Sequence, residues 1–134
     1  MPDRRIEVAL RVRYAETDAL GVAYHSNYFV WFEVARSEYF RVVVGDSPAG
    51  FFQHYGMPLI EASARFLNPC RYDDLIVIAA RVSELRSRSI EFEYEVRREG
   101  DGLLLAVGRT AHICTDSGGK PCRIPTALRE ALAS

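Results

Sequence analysis

The chain begins with an alternation of apolar and polar positions that is typical of a β-strand with one buried face. From Ile6 to Tyr14 every second residue is apolar, and charged residues take most of the positions between them. This period of two predicts a strand. Between Ala15 and His25 the alternation stops, and small and polar residues surround Gly21, which predicts a loop.

Between Asn27 and Val44 the apolar positions recur every three or four residues. The apolar face consists of Tyr28, Trp31, Phe32, Ala35, Tyr39, Phe40 and Val43. The spacing predicts an amphipathic helix of roughly five turns with an aromatic face. Ser26 or Asn27 is a candidate cap for its first turn. The sequence from Gly45 to Pro48 predicts its end.

The rest of the chain is dominated by strand patterns. A short irregular or helical segment is expected from Gly50 to Gly56. The elements expected after it are strands over Leu59–Leu67, Leu75–Leu85, Ile90–Arg97 and Leu103–Thr115, a hairpin turn over Glu99–Gly102 and a terminal helix over Thr126–Ala133. One helix and five strands must share one core. The simplest packing is an α+β fold with a curved antiparallel sheet wrapped around the helix, as a single domain over residues 1–134. Exposed edge strands favour pairing between copies, so we expect a homodimer or homotetramer.

Composition narrows the range of functions. Seventeen basic and 18 acidic residues give a net charge of −1, which disfavours nucleic acid as a partner. Three widely spaced cysteines form neither a disulfide framework nor a paired zinc motif, so we expect free thiols. No apolar run is long enough to span a membrane, and the first residues lack the pattern of a signal peptide. We therefore expect a cytoplasmic protein.

The loop that leads into the long helix concentrates candidate chemistry. It contains Asp18, Gly21, His25 and Asn27. The first amides of a helix carry a partial positive charge that favours a developing oxyanion, and a nearby carboxylate can act as nucleophile or general base. The alternative interpretation is structural: Asp18 as a turn residue, and His25 and Asn27 as caps.

A second candidate is a local group of arginines with Arg86 and Arg88 at its centre. It is either a solvated strand end or a clamp for a phosphorylated ligand. Its members are Arg81, Arg86, Arg88, Arg97 and Arg98. No glycine-rich phosphate loop, nucleophile elbow or metal-ligand spacing is present, so we expect no metal and no separate cofactor.

One set of loop and helix residues resembles a known family. The set is Tyr14, Thr17, Asp18, Gly21, Val22, Tyr24, His25, Asn27, Tyr28, Glu33, Ala35 and Arg36, with a weaker continuation through Phe66, Pro69, Tyr72, Asp74 and the Ser87–Ser89 turn. It is similar to the 4-hydroxybenzoyl-CoA thioesterase family of hot-dog proteins, and most similar to the branch associated with the Tol–Pal system. The resemblance implies a long helix wrapped by a five-stranded antiparallel sheet, and an acyl-CoA thioesterase whose coenzyme A belongs to the substrate.

The resemblance also implies roles for individual residues. Asp18 would attack the thioester carbonyl or activate water, and the backbone amide near His25 would polarise the carbonyl oxygen. The His25 side chain would orient water or the acyl group, and it favours an aliphatic or short acyl group over an aromatic one. The expected substrate-binding residues are Tyr24, Asn27, Arg86, Arg88 and Ser89.

Three alternatives to this prediction remain open. The substrate could be an acyl group on a carrier protein, docked by the basic turn. The protein could bind or scaffold acyl-CoA without turnover. Glu33 or Glu38 on the helix could supply the catalytic acid, although Glu33 is also explained as a helix surface pair with Arg36.

Overall fold

A computed structural model describes residues 4–45 and 53–133 of the chain. Its elements are β1 (Arg5–Arg11), α1 (Ser26–Tyr39) with a π-helical extension (Phe40–Val44), β2 (Leu59–Phe66), β3 (Leu75–Leu85), β4 (Ser89–Arg98), β5 (Leu104–Ile113) and α2 (Thr126–Ala133). The five strands form one antiparallel sheet in the order β1-β3-β4-β5-β2. The predicted α+β fold is confirmed.

Helix α1 packs its predicted aromatic face against the sheet. Its most deeply buried side chains are those of Trp31, Phe32, Ala35 and Tyr39. The Phe32 ring stacks on that of Tyr94 in β4, with centroids 4.4 Å apart. A Cβ at Gly108 of β5 would lie 2.3 Å from the Phe32 ring, so this strand needs a glycine where the helix comes closest. The position of the helix along the sheet is therefore fixed by packing.

The structure corrects the predicted boundaries of the first and the last strand. β1 ends at Arg11 rather than Tyr14. The Val12 amide and carbonyl instead bond to Asp74 and Asp73, and the chain then forms a 3-10 turn at Tyr14–Glu16. The last strand is also shorter than predicted, because residues 103 and 114–115 lie outside β5.

The predicted side-chain cap of α1 is wrong. His25 holds the position before the helix with helical backbone angles and makes no side-chain cap bond. The Asn27 side chain instead donates backwards to the carbonyl of Glu16, 2.8 Å away. Gly45, with a φ of +80°, ends the helical segment as predicted. Residues 46–52, which include Pro48 and the first part of the Gly50–Gly56 segment, lie outside the described residues.

Strand β2 lies at one edge of the sheet and, unlike the other four strands, is exposed along almost its whole length. Leu59 and Ile60 are 53% and 61% exposed, and Phe66 is 47% exposed. No helix in residues 4–45 and 53–133 is both long and apolar enough to cross a membrane.

A chain of buried polar groups crosses the core beside the second half of α1. An Arg36 guanidinium nitrogen lies 3.0 Å from the Tyr94 hydroxyl, which lies 2.6 Å from the Thr110 hydroxyl. His112 bonds through Nε2 to Thr110 and through Nδ1 to the Met57 carbonyl. A carbonyl only accepts, so Nδ1 of His112 carries a proton and donates to Met57. Burial and the nearby Arg36 charge lower the pKa of His112 to about 4, so Nε2 is unprotonated at neutral pH and accepts from Thr110. The Tyr94 hydroxyl accepts from Arg36 and donates to Thr110, so the chain of donors runs from Arg36 to the neutral imidazole.

Candidate active site

Asp18 lies in a short turn with well-defined hydrogen bonds. Its amide donates to the Val22 carbonyl and its carbonyl accepts from the Gly21 amide, both at 2.9 Å. Gly21 has a φ of +78°, a conformation that favours glycine. One carboxylate oxygen of Asp18 accepts from the Leu20 amide at 2.9 Å. Within residues 4–45 and 53–133 the second oxygen accepts no hydrogen bond, so it is available to a substrate or a water molecule.

A cavity of about 340 Å³ adjoins this turn. Asp18 and His25 line it together with Tyr28 and the segment from Phe66 to Pro69. The Phe66 ring lies 5.0 Å from that of Tyr28 and 6.2 Å from that of His25. The cavity thus places a carboxylate and an imidazole beside apolar rings.

The start of α1 supplies hydrogen-bond donors beside the same cavity. The amides of Asn27 and Tyr28 already donate to the carbonyls of Tyr24 and His25. In the part of the chain that the structure describes, the amides of His25 and Ser26 have no acceptor. Unpaired amides at a helix N-terminus favour negative charge on a ligand oxygen.

Tyr24 and Asn27, two of the predicted substrate-binding residues, lie beside the start of α1 but make different contacts. The Tyr24 ring packs on that of His25, with centroids 4.2 Å apart, and remains 46% exposed. Asn27 does not line the cavity, because its side-chain amide is bonded to the carbonyl of Glu16. Its observed contact is therefore with the loop.

Sequence reasoning missed Glu16, which is only 4% exposed. Its carboxylate accepts from the Arg13 amide at 2.8 Å and from the Trp31 indole nitrogen at 2.9 Å. Burial raises the pKa of Glu16, but the hydrogen bonds from Arg13 and Trp31 outweigh this effect and the pKa is lowered. The carboxylate is therefore ionised at neutral pH. A contact between residues 16 and 31 leaves no pattern in the sequence that could have revealed it.

The turn predicted to bind coenzyme A, Arg86–Ser89, lies at the other end of β3. The loop with Asp18 pairs with residues immediately before β3, since the Ala23 amide donates to the Cys70 carbonyl at 2.8 Å. The Arg86–Ser89 turn follows β3 directly. Ten residue steps at about 3.3 Å each separate the two regions by roughly 30 Å. Within one copy, the structure does not bring Arg86, Arg88 and Ser89 together with Asp18.

The backbone of this turn is held by the C-terminal segment. The carbonyls of residues 86, 87 and 88 accept hydrogen bonds from Arg129 at 2.6 Å, from Ile124 at 2.9 Å and from Cys114 at 2.8 Å. The Arg86 and Arg88 side chains are exposed. The turn therefore presents two cations on a supported backbone.

A larger cavity of about 460 Å³ lies on the opposite face of the sheet. Three of its four arginines are in ion pairs: Arg81 with Glu93, Arg5 with Glu95 and Arg109 with Glu91. Both of its carboxylates, those of Glu93 and Glu95, are held in these ion pairs. One Asp18 oxygen accepts no hydrogen bond among the described residues, so we favour the smaller cavity at Asp18 as the reactive one. Among the described residues, no cluster of three or more histidine, cysteine or acidic side chains could hold a metal.

Comparison with known proteins identifies the family. The pattern of the Thioesterase superfamily matches residues 20–105. The acyl-CoA thioesterase YbgC of Haemophilus influenzae is 30% identical over 98% of this chain and 97% of its own. Two crystal structures are also similar. A hypothetical protein from Thermus thermophilus is 36% identical over 95% of this chain and 96% of its own, with a TM-score of 0.88. A DHNA-CoA thioesterase from Staphylococcus aureus is 30% identical over 95% of this chain and 87% of its own, with a TM-score of 0.87.

Proposed function

The chain belongs to the Thioesterase superfamily, and from this premise we propose that it hydrolyses the thioester of a short or medium acyl-CoA to a free acid and coenzyme A. The observation that carries the proposal is one cavity, lined by Asp18 and His25, beside the start of α1, where the His25 and Ser26 amides have no acceptor among the described residues. The named thioesterases among its relatives support the reaction type.

In the proposed reaction the thioester carbonyl lies against the His25 and Ser26 amides. Asp18 either attacks the carbonyl carbon or takes a proton from a water molecule that attacks it. The carbonyl oxygen becomes negative as the new bond forms, and the helix amides stabilise it. Expulsion of the coenzyme A thiolate then breaks the carbon–sulfur bond. If Asp18 is the nucleophile, water hydrolyses the resulting anhydride.

The lining of the cavity supports the proposed acyl group. Phe66 and Tyr28 form an apolar wall, and a cavity of about 340 Å³ lies at the lower end of the range for small-ligand sites. His25 completes the wall from the helix side. His25 is the residue on which we also propose that the chain belongs to the Tol–Pal-associated branch, with cytoplasmic acyl-CoA as its substrate.

The proposal requires at least two copies of the chain. Asp18 and the Arg86–Ser89 turn are separated by the length of β3, so one substrate can touch both only if they come from different copies. Strand β2 offers an exposed edge through which copies could pair. We therefore propose a homodimer, or a tetramer built from it. Arg86 and Arg88 of one copy would bind the phosphates of a substrate cleaved at Asp18 of the other.

A thiol-release assay tests the proposed reaction. The substrates are acyl-CoAs from acetyl to long-chain, aromatic ones included, with the same acyl groups on a carrier protein as a second series. Asp18→Asn keeps the volume of the side chain but removes its charge. We expect kcat to fall about 10²- to 10⁴-fold, the usual range for loss of such a group. Oligomer size and thermal midpoint should be unchanged.

Glu33→Gln is the matched control, because it makes the same kind of change at an exposed carboxylate of α1. It should leave kcat within about twofold. If Glu33→Gln abolishes turnover and Asp18→Asn does not, the catalytic acid is on the helix. Binding of acyl-CoA without turnover by the wild type would contradict the proposed activity. Turnover confined to the carrier-protein series would replace the proposed substrate.

A further inference from the structure

We propose that Glu16 is a positioning residue that fixes the Asp18 carboxylate relative to the amides at the start of α1. This inference rests on the proposed function for its kinetic consequence. Its structural content, a single buried carboxylate that joins the loop to the helix, can be tested without a substrate.

The side chain of Glu16 connects the loop to the buried face of α1. One carboxylate oxygen accepts from the Arg13 amide at 2.8 Å, and the other accepts from the Trp31 indole nitrogen at 2.9 Å. Trp31 is 1% exposed and lies in the second turn of α1. The start of the loop is thereby fixed to a side chain that packing already holds in place.

The backbone of Glu16 makes the complementary connection. Its carbonyl accepts from the Tyr24 amide and from the Asn27 side chain, each at 2.8 Å. These two residues flank His25 and Ser26, whose amides would stabilise the oxyanion. Asp18 is only two residues away from Glu16 and closes its turn with Val22. Both reacting groups are therefore located with respect to the same residue.

The chemistry of the two donors explains why a carboxylate is present. The Arg13 amide and the Trp31 indole both donate, so each oxygen must accept. Glutamine would turn its NH₂ group towards one of the donors. Aspartate is one methylene shorter and would reach only one of them well. Among these three side chains, only glutamate satisfies both donors from this position.

The burial of Glu16 indicates a role beyond stability. A buried carboxylate carries a desolvation penalty that can exceed the gain from its hydrogen bonds, and an apolar residue in its place is often as stable. Arg13, its ionic partner, is 74% exposed and 3.5 Å away, so that pair contributes little. The Glu16 carboxylate holds the Arg13 amide and the Trp31 indole in fixed directions. An apolar side chain could not do this.

Glu16→Gln, Glu16→Asp and Trp31→Phe test the proposal. We expect Glu16→Gln to lower kcat about tenfold to a hundredfold with KM within about threefold, since a displacement of about 1 Å of a reacting group can cost 10²-fold. Trp31→Phe should cost less, because one donor remains. The double variant should be no worse than Glu16→Gln alone, because its glutamine NH₂ no longer faces the indole. Glu16→Asp should recover part of kcat.

Thr110→Val is the control for a purely structural effect, since it breaks a buried hydrogen bond in the core away from the loop. It should lower the thermal midpoint and leave kcat unchanged at temperatures where the protein is folded. The proposal is wrong if Glu16→Gln behaves in the same way, or if its effect and that of Trp31→Phe simply multiply.

Hydrogen–deuterium exchange tests the proposed role of Glu16 without a substrate. Glu16→Gln should raise exchange in residues 17–27 and leave β4 and β5 as in the wild type, and Thr110→Val should show the reverse. Unchanged exchange in residues 17–27 overturns the proposal even if the enzyme is active. If exchange in residues 17–27 is faster in Glu16→Gln but the wild type hydrolyses no acyl-CoA, the positioning role of Glu16 is supported. In that case it is the proposed function that is wrong.

Discussion

The loop that carries Asp18 and the turn that carries Arg86 and Arg88 lie at opposite ends of β3, and they are built differently. The loop is anchored through side chains, by a buried carboxylate and an indole in the core. The turn is anchored to the C-terminal segment through three of its backbone carbonyls, and its arginine side chains are exposed.

The difference corresponds to two tasks in one proposed reaction. Bond-making groups must be held to within a fraction of an ångström, which a pre-organised loop achieves. Binding of a flexible phosphorylated chain needs charge more than exact placement, and mobile arginines can supply it. We therefore expect changes in the loop to alter kcat and changes in the turn to alter KM.

Mixing two defective variants tests whether the two regions act in the same site but come from different copies. Asp18→Asn alone should be inactive, and Arg86→Ala with Arg88→Ala should raise KM roughly tenfold, from about 1 kcal/mol or less for each exposed charge contact. A 1:1 mixture, refolded together and measured at low substrate, should recover about a quarter of wild-type activity. Half of the dimers are then mixed, and each mixed dimer has one intact site.

The control for this experiment is a mixture assembled without exchange of subunits. It should show only the sum of the two defective enzymes. If the refolded mixture also shows only that sum, while size analysis confirms mixed dimers, the loop and the turn do not serve one shared site.

Strain introduced into the loop provides the second test. Gly21→Ala adds a Cβ with ordinary contacts but places alanine at a φ of +78°, which costs about 1–2 kcal/mol. The turn should relax and displace Asp18, with a fall in kcat of about tenfold and an unchanged KM. Steady-state kinetics measures both constants.

Gly102→Ala is the matched control, since Gly102 has a φ of +70° and open space around it, but lies in the β4–β5 turn. It should lower stability by a similar amount without affecting kcat. Equal losses of kcat in both variants would show that global strain, rather than the Asp18 turn, controls activity.

The smallest effect on activity is expected from pH, through His112. Burial and the nearby Arg36 charge lower its pKa to about 4. The unfolded chain, with a pKa near 6.5, binds this proton first as pH falls. The stabilisation is therefore complete above about pH 6.5 and is lost as pH falls towards 4. At pH 5 the loss is about 2 kcal/mol.

Urea unfolding at pH 7.5 and pH 5 measures this loss, and His112→Gln should remove most of the difference. A pH-independent free energy of unfolding in the wild type would contradict the assignment of a neutral buried His112. The measurement also defines the pH range in which a change in activity reports on the loop rather than on unfolding.

The sheet was predictable from sequence because its signals are local. Strands β3 and β4 follow from alternation and from buried apolar runs, and α1 follows from its three-to-four spacing. The end of β1 was not predictable, since the apolar alternation continues to Tyr14 while Val12 bonds to residues near 74. Boundaries set by distant partners leave no local pattern.

The candidate site was only partly accessible from sequence. The residue types around Asp18 suggested the chemistry, and in the structure Asp18 and His25 line one cavity. The separation of Asp18 from Arg86 could not be predicted from the sequence, because it depends on how β3 runs between the two regions. Asn27 was expected at the substrate, but its amide bonds to the Glu16 carbonyl. No sequence rule tells whether the Asn27 side chain bonds to the loop in this way or faces the substrate.

The hydrogen bonds that the C-terminal segment makes to residues 86–88 have a consequence for engineering. A chimaera that transfers only the Arg86–Ser89 turn to a relative would leave its three carbonyls facing a foreign segment. The exchanged unit should instead include residues 114–129, although they are remote in sequence and lie outside the reactive cavity. Natural differences within that stretch are accordingly places to look when relatives with similar cavities differ in their preference for the carrier end of the substrate.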